Sequence, residues 1–378
     1  MKLRLLYGVV RSVYLQGLSG RFTLQTLRAC SDSSAVPSSP LKQWTVAVSP
    51  FLKVKCHLHC SVSIRPLDPH TFPGADRAFI ALHGLNGSSD GQDLGLDSFQ
   101  VHYDDQSKEL RINSDETTSS MSVEVTTPIK SDLQVVTRGT GSVRIQKMES
   151  DLCQVQTENG HCVLQSVKSH KVQVQSSRGN ITGMGTIHGD IEISTAGDSS
   201  VNIKKIQGTT MNVSTERGPL NIKAIYAESS SVSSSSGKVH IGHLHGEAHV
   251  QNSTGDIIVD SSSGALTAFT AAGNMDVYVD QTGTAVLHTQ QGAVRIRVPA
   301  TMKAGVQLCG TTVDISSEIS QETERHSVDG KTVVMAQLNG GTQEDCWIKA
   351  TADRGAVSLK TQSWFETLKL GSRERNGP

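Results

Sequence analysis

Aromatic side chains are scarce, at 4% of 378 residues. An interior built from this chain must use small and branched side chains, and a broad aromatic face for stacking sugar rings is missing. No window reaches the roughly 18 apolar residues of a membrane-spanning helix. Neither sign of charge is in excess: 35 Lys and Arg against 36 Asp and Glu give a formal net charge of −1. That balance argues against broad electrostatic binding to nucleic acid or anionic lipid. The 7 cysteines, Cys30, Cys56, Cys60, Cys153, Cys162, Cys309 and Cys346, are odd in number and irregular in spacing. They do not read as the disulfide framework of an oxidising compartment. P-loop, GxSxG, HExxH and CxxC patterns are absent, as is the calcium-binding nonapeptide of β-rolls. No cofactor is expected.

Acids are missing from residues 1–31, where Lys2, Arg4, Arg11, Arg21 and Arg28 stand among Leu, Val, Tyr and Phe. That is the composition of a mitochondrial transit peptide. A secretory signal is the rival reading, but its apolar run, Leu5 to Val10, is short and broken by Arg11. An unprocessed cytosolic chain is the third. In a secreted chain Asn86, Asn180, Asn212 and Asn252 would be glycosylation acceptors, two of them in or beside predicted strands. Residues 1–40 therefore read as a transit peptide followed by a Ser/Pro-rich linker.

What the chain has in quantity is glycine at a fixed interval. Gly141, Gly160, Gly179, Gly197, Gly218, Gly237, Gly255, Gly273, Gly292 and Gly310 recur every 18–21 residues. After most of them comes an alternating strand: Val143 and Ile145, Leu220 and Ile222, Val239 and Ile241, Ile257 and Val259, Val294 and Ile296. Period-2 alternation buries one face and wets the other. A third apolar position follows, at Met148, Val167, Met184, Ile206, Ile225 and Leu244. A second short strand precedes each glycine and ends in Thr or Ser, as at Thr157, Thr195 and Thr215. Three short strands per interval predict one coil of a three-sided β-solenoid, with glycine at a corner because it can take φ > 0 without a Cβ clash. A β-sandwich of regular hairpins is the alternative, and it does not account for the constant interval. The fold expected is all-β: a right-handed parallel β-solenoid (β-helix) of roughly ten coils with β caps, the coils stacking to bury a shared core.

Around the ladder, residues 41–130 read as a β lead-in and N-terminal cap, with a hairpin across Asp104–Lys108. Residues 131–360 read as the solenoid, interrupted by an insertion at 316–346 and restored at Gly355. Residues 361–378 read as a C-terminal cap, with Trp364, Phe365, Leu368 and Leu370, and a tail.

The repeat units "SGKVHIGHLHGEAHVQNSTGDIIV" from Ser236 and "RGPLNIKAI" from Arg217 resemble a family of adhesin-like β-solenoid domains of the auto-transporter adhesin head type. The lead-in "VKCHLHCSVSIRPLDP" from Val54 is similar to a vertebrate family of the same kind. The resemblance implies the architecture and its handedness, and no activity.

Candidate sites are few. His57 and His59, in Cys56-His57-Leu58-His59-Cys60, share one strand face as a possible His-x-His metal pair, while zinc needs further ligands. Their plainer reading is a strand with buried cysteines and exposed histidines. His240, His243, His245 and His249 crowd ten residues and offer a metal-binding or pH-sensitive patch; surface decoration is the plainer reading. Asp190, Glu192, Asp256, Asp276 and Asp314 point outward but are scattered between coils, so no catalytic carboxylate pair is predicted. The function expected is a non-enzymatic interaction scaffold with a protein partner and no nucleic acid, in mitochondria. The alternative is a carbohydrate-active or carbohydrate-binding β-helix.

Overall fold

The computed structural model describes residues 40–84, 98–115, 118–317, 321–341 and 346–362. The expected transit peptide, Asn86 and the expected C-terminal cap residues Trp364, Phe365, Leu368 and Leu370 lie outside them. Every regular element among the described residues is a β-strand, and no helix there is long and apolar enough to cross a membrane.

One coil shows why the sequence folds this way. In Leu220–Ser236, Leu220 and Ile222 point inward on a first side, Ile225 on a second, and Ser230, Val232 and Ser234 on a third. These sides are called B, C and A in that order. The chain turns at Gly237 and starts again at Val239–Thr254, in parallel register: Leu220 on Val239, Ile225 on Leu244, Val232 on Val250. Nine coils follow one another this way, starting at Val143, Cys162, Ile181, Val201, Leu220, Val239, Ile257, Met275 and Val294. Each inward residue packs on its counterpart above and below, so the interior is a set of apolar columns. Burying each Val, Leu or Ile contributes about 1.5–3 kcal/mol.

The corner is crowded by backbone. A Cβ on Gly160 would lie 1.9 Å from the Gly141 carbonyl oxygen, and one on Gly179 1.8 Å from that of Gly160. The same overlap recurs at Gly218, Gly255, Gly273, Gly292 and Gly355, where a Cβ would meet the carbonyl of the coil before. A polar residue three positions earlier braces it. Asn252 Nδ2 donates to the carbonyls of Gly237 (2.9 Å) and Gly255 (3.1 Å), and Thr289 Oγ1 donates to Gly273 (2.9 Å). Ser176 Oγ both accepts from Gly179 N (2.8 Å) and donates to its carbonyl (2.7 Å).

Two members of the predicted pattern sit elsewhere. At Gly197 a Cβ would make only an ordinary contact, 3.7 Å from Ser177 O; Ser199 takes the stacked place, and its carbonyl lies under Gly218. Met184 is 40% exposed, and the buried residue of side C is Ile187, in register with Ile206. Met184 faces outward by strand alternation, in register with Gln165, and a bulge between Gly183 and Thr186, where Gly185 has φ +78°, moves the side C core place on to Ile187.

The ends break chain order. Lys53–Leu58 lies between Glu109–Asn113 and Asp132–Thr137, and Ser61–Pro66 lies between Met121–Thr127 and Val143–Gln146. At the other end, Trp347–Ala352 lies between Thr284–Gln291 and Ala304–Gly310, and Val357–Thr361 lies between Val294–Val298 and Val313–Ile315. Gly310 therefore meets Gly355, and Gly355 stacks on Gly292. Where an insertion was expected, the chain builds an outer layer, adds the antiparallel hairpin Gln321–Val328/Lys331–Leu338, and returns to fill the layer beneath. Antiparallel strands close the N-terminal end too: Lys42–Ala47 on Arg77–Gly84 on Met121–Thr127, and Gln100–Asp104 on Glu109–Asn113. Charged edge residues such as Lys42, Glu324 and Arg325 guard these rims against further pairing.

Candidate functional site

Side A is the broadest continuous face. Its outward residues form two columns set by the parallel register. One runs Gln134, Gln154, Gln173, Glu192, Asn212, Ser231, His249, Thr267; the other runs Gln156, Gln175, Ser194, Ser214, Ser233, Gln251. Neighbours in a column are about 4.8 Å apart. Side-chain amides bridge coils, Gln134 Nε2 to Gln154 Oε1 at 3.3 Å and Gln173 Nε2 to Glu192 Oε2 at 2.8 Å. The result is a flat array mainly of amides and hydroxyls, with Glu192 and His249 among them. At its edge a cleft of about 470 Å³ is lined by Ser214, Ser233, Ser235, Gln251, Ser253 and Glu216. Glu216 is engaged, accepting from Gly197 N (2.7 Å) and Arg217 Nη1 (2.6 Å).

The candidate histidines separate. His57 is exposed, but His59 lies at a corner, where its Nδ1 is 3.0 Å from the Ser114 carbonyl. Cys56 and Cys60, on either side of that corner, are fully buried, and burial pushes the Cys56 thiol up to about 12. His240 on side B pairs with Asp260 (2.9 Å). His243 and His245 face out from side C, and His249 belongs to side A beside Glu247 (3.4 Å). His245 stacks on Tyr226 with ring centroids 4.5 Å apart and 12° between planes, and bonds Ser263 Oγ at 2.6 Å. Among the described residues no three His, Cys, Asp or Glu side chains converge as a metal site.

The outward acids are held by the adjacent coil. Asp190 accepts from Thr210 N (3.2 Å), Asp256 from Asn274 N (2.8 Å), and Asp276 pairs with Arg297 (2.6 Å). Their role here is to tie coils together.

Two features escape a reading of the sequence. One is a second close-packed corner, between sides C and A. A Cβ on Gly189 would meet Ser169 O at 1.8 Å, one on Gly208 would meet Gly189 O at 2.0 Å, and one on Gly246 would meet Ala227 O at 1.9 Å. The signal was present as glycines 19 residues apart, but Ser and Ala fill the other coils. The second is a polar clamp on the threaded segment. Asp353 binds His288 Nε2 (2.9 Å) in the coil below and Lys331 Nζ (3.0 Å) in the hairpin above. Those hydrogen bonds, the histidine's first, hold the Asp353 carboxyl below its usual range.

Residues 183–338 match the model of the Toastrack family, DUF4097. The chain is thus similar to the adhesin-like β-solenoid domains that its repeats resemble. Among solved structures, it is 12% identical to a candidate adhesin from Parabacteroides merdae, over 65% of this chain and 94% of that one, with a TM-score of 0.34. A candidate lipid-binding protein from Parabacteroides distasonis is 11% identical over 86% of this chain and 98% of its own, with a TM-score of 0.32. A candidate adhesin from Bacteroides fragilis is 12% identical over 86% and 99%, with a TM-score of 0.25.

Proposed function

We propose that this chain is a non-enzymatic interaction scaffold that presents side A to a protein partner, and that it works in mitochondria. The observation that carries the first part is the regular array of amides and hydroxyls from Gln134 to Thr267, joined by Glu192 and His249. Its donors and acceptors are held at one spacing on a rigid sheet, so an extended partner can meet many of them without ordering the surface first. The acid-free, arginine-bearing composition of residues 1–31 supports the second part. The test is localisation with the native N-terminus and N-terminal sequencing of the mature chain, followed by proximity labelling. Labelling compares the parent with Gln156→Arg/Ser214→Arg/Ser233→Arg. A partner set lost in the triple variant, whose melt is unchanged, supports the reading; identical sets refute the role of side A. A secreted, glycosylated chain refutes the mitochondrial assignment.

Carbohydrate binding is the second reading, and the hydroxyl-rich cleft beside Gln251 favours it. Saturable binding on a glycan array, lost in the same triple variant, would put it first.

A further inference from the structure

Side C carries a different chemistry. Its outward and corner positions hold Lys147, Lys168, Lys204, Lys205 and Lys223, together with His188, His243 and His245. None of the five lysines makes an ion pair among the described residues. The carboxylates beside these lysines, Glu149 and Asp260, are engaged by Lys130 (3.0 Å) and by His240 (2.9 Å), and Glu228 stands at the far corner toward side A. The near-zero net charge of the chain conceals this segregation, because Asp190, Glu192 and Glu247 are exposed on side A.

The register concentrates the lysines. Ile203 and Ile222 are partners, so Lys204 and Lys223, the next residues, lie one above the other about 4.8 Å apart. Lys205 leans over the Tyr226 ring, 4.9 Å from its centroid. Gly183 pairs with Ile203, so Met184 heads the same column as Lys204 and Lys223. Met184 and Tyr226 are each 40% exposed. Met184 takes the outward place that Gln146 and Gln165 hold in the two preceding coils, so an apolar side chain stands here where those coils carry amides.

We propose that side C, through Lys204, Lys205, Lys223, Met184 and Tyr226, docks on an anionic lipid surface. A planar array of ammonium groups matches a planar array of headgroups, whereas a flat sheet cannot wrap a polymer chain. Exposed Met and Tyr beside lysines supply the apolar and amphipathic groups that settle at the headgroup boundary. This site is separate from the side A array and does not depend on it. Each lysine near such a surface is worth about fivefold in partitioning, so the three central ones give about a hundredfold preference over neutral lipid.

The experiment is co-sedimentation of the full chain with phosphatidylcholine vesicles, with and without phosphatidylserine as about a third of the lipid. Expected are a preference of about a hundredfold for the anionic vesicles, weakening as salt is raised, and a loss of more than about tenfold in Lys204→Glu/Lys223→Glu. Met184→Ser should weaken binding while leaving its salt dependence unchanged. All variants are surface changes, and a melt identical to the parent confirms the fold. Equal binding to both vesicle types, or a double variant that binds as the parent does, overturns the proposal. Retention on a soluble polyanion such as heparin without vesicle binding also overturns it, in favour of a polymer ligand.

Discussion

Replacing Gly160 by Ala tests the stacked corner, and Gly197→Ala is its natural counterpart. The two glycines hold equivalent places in the sequence ladder, yet their surroundings differ. At Gly160 the new Cβ would lie 1.9 Å from Gly141 O. Carbon and oxygen need about 3.3 Å, so the coils must part by about 1.4 Å there. The bonds that hold these two coils nearby are Glu158 N to Thr137 O (3.2 Å), Asn159 N to Gly139 O (3.0 Å) and Val143 N to His161 O (2.8 Å). Stretched by that amount they pass out of hydrogen-bond range. Three bonds at about 1 kcal/mol each, plus the packing lost as the apolar columns separate, give about 4 kcal/mol. At Gly197 nothing lies within 3.4 Å of the added carbon, but φ is +65°. The cost there is the left-handed penalty alone, about 1 kcal/mol. Thermal melts followed by far-UV circular dichroism should place Gly160→Ala about 10 °C below the parent and Gly197→Ala within about 4 °C. Equal losses in the two variants, or an unshifted Gly160→Ala, would refute the stacking argument.

Asn252→Ala removes the side-chain donor to the Gly237 and Gly255 carbonyls and should cost about 2 kcal/mol of unfolding free energy, seen as a lower denaturant midpoint. Asn252→Thr should recover part of it, since Thr270 and Thr289 brace the same corner in later coils. Equal midpoints for the Ala and Thr variants would remove the bracing role. Asp353, depressed in the folded state by His288 and then Lys331, adds stability above its unfolded pKa and loses it as pH falls through the folded value. The melting gap between parent and Asp353→Asn should therefore be full at neutral pH and close below about pH 4; a gap that persists in acid would contradict the clamp. Burial pushes the Cys153 thiol up to about 12 and raises that of Cys162, so both should resist maleimide until the protein unfolds, while half-exposed Cys309 reacts in the native state. Native labelling of Cys162 at the rate of Cys309 would place it outside the core.

The coil could be read from the sequence because stacking repeats one local environment. Val143, Cys162, Ile181 and Val201 meet the same neighbours, so they show the same character. Reading failed where one coil departs from its neighbours. Gly183 hides the second inward residue of its strand, so Met184 was counted too early as the side C residue, and the bulge at Gly185 shifts the frame across which Gly197 was aligned. The second corner was hidden because Ser169 and Ala227 fill it as well as glycine does. Layer order was beyond reach. Gly292 and Gly310 keep the interval faithfully and yet do not touch, because spacing records the length of a coil and not which coil lies next to it. The basic face was lost for a related reason: composition sums charges that the register sorts onto different sides.

The threaded ends determine how this rod can be made and changed. Ala304–Gly310 and Val313–Ile315 reach the stack only through Trp347–Thr361, which leaves the ribosome after them. Early strands wait as well, since Lys53–Pro66 needs both Glu109–Thr127 and Asp132–Gln146 on its two sides. Synthesis can therefore build the middle coil by coil, but each end sets only when a later stretch slides home. The molecule is a stack with a lock at either end. A duplicated or deleted coil between Val143 and Val298 changes its length and leaves both locks intact, whereas a repeat appended after Val313–Ile315 has no slot to enter. Length is free to drift in the interior and is fixed at the termini.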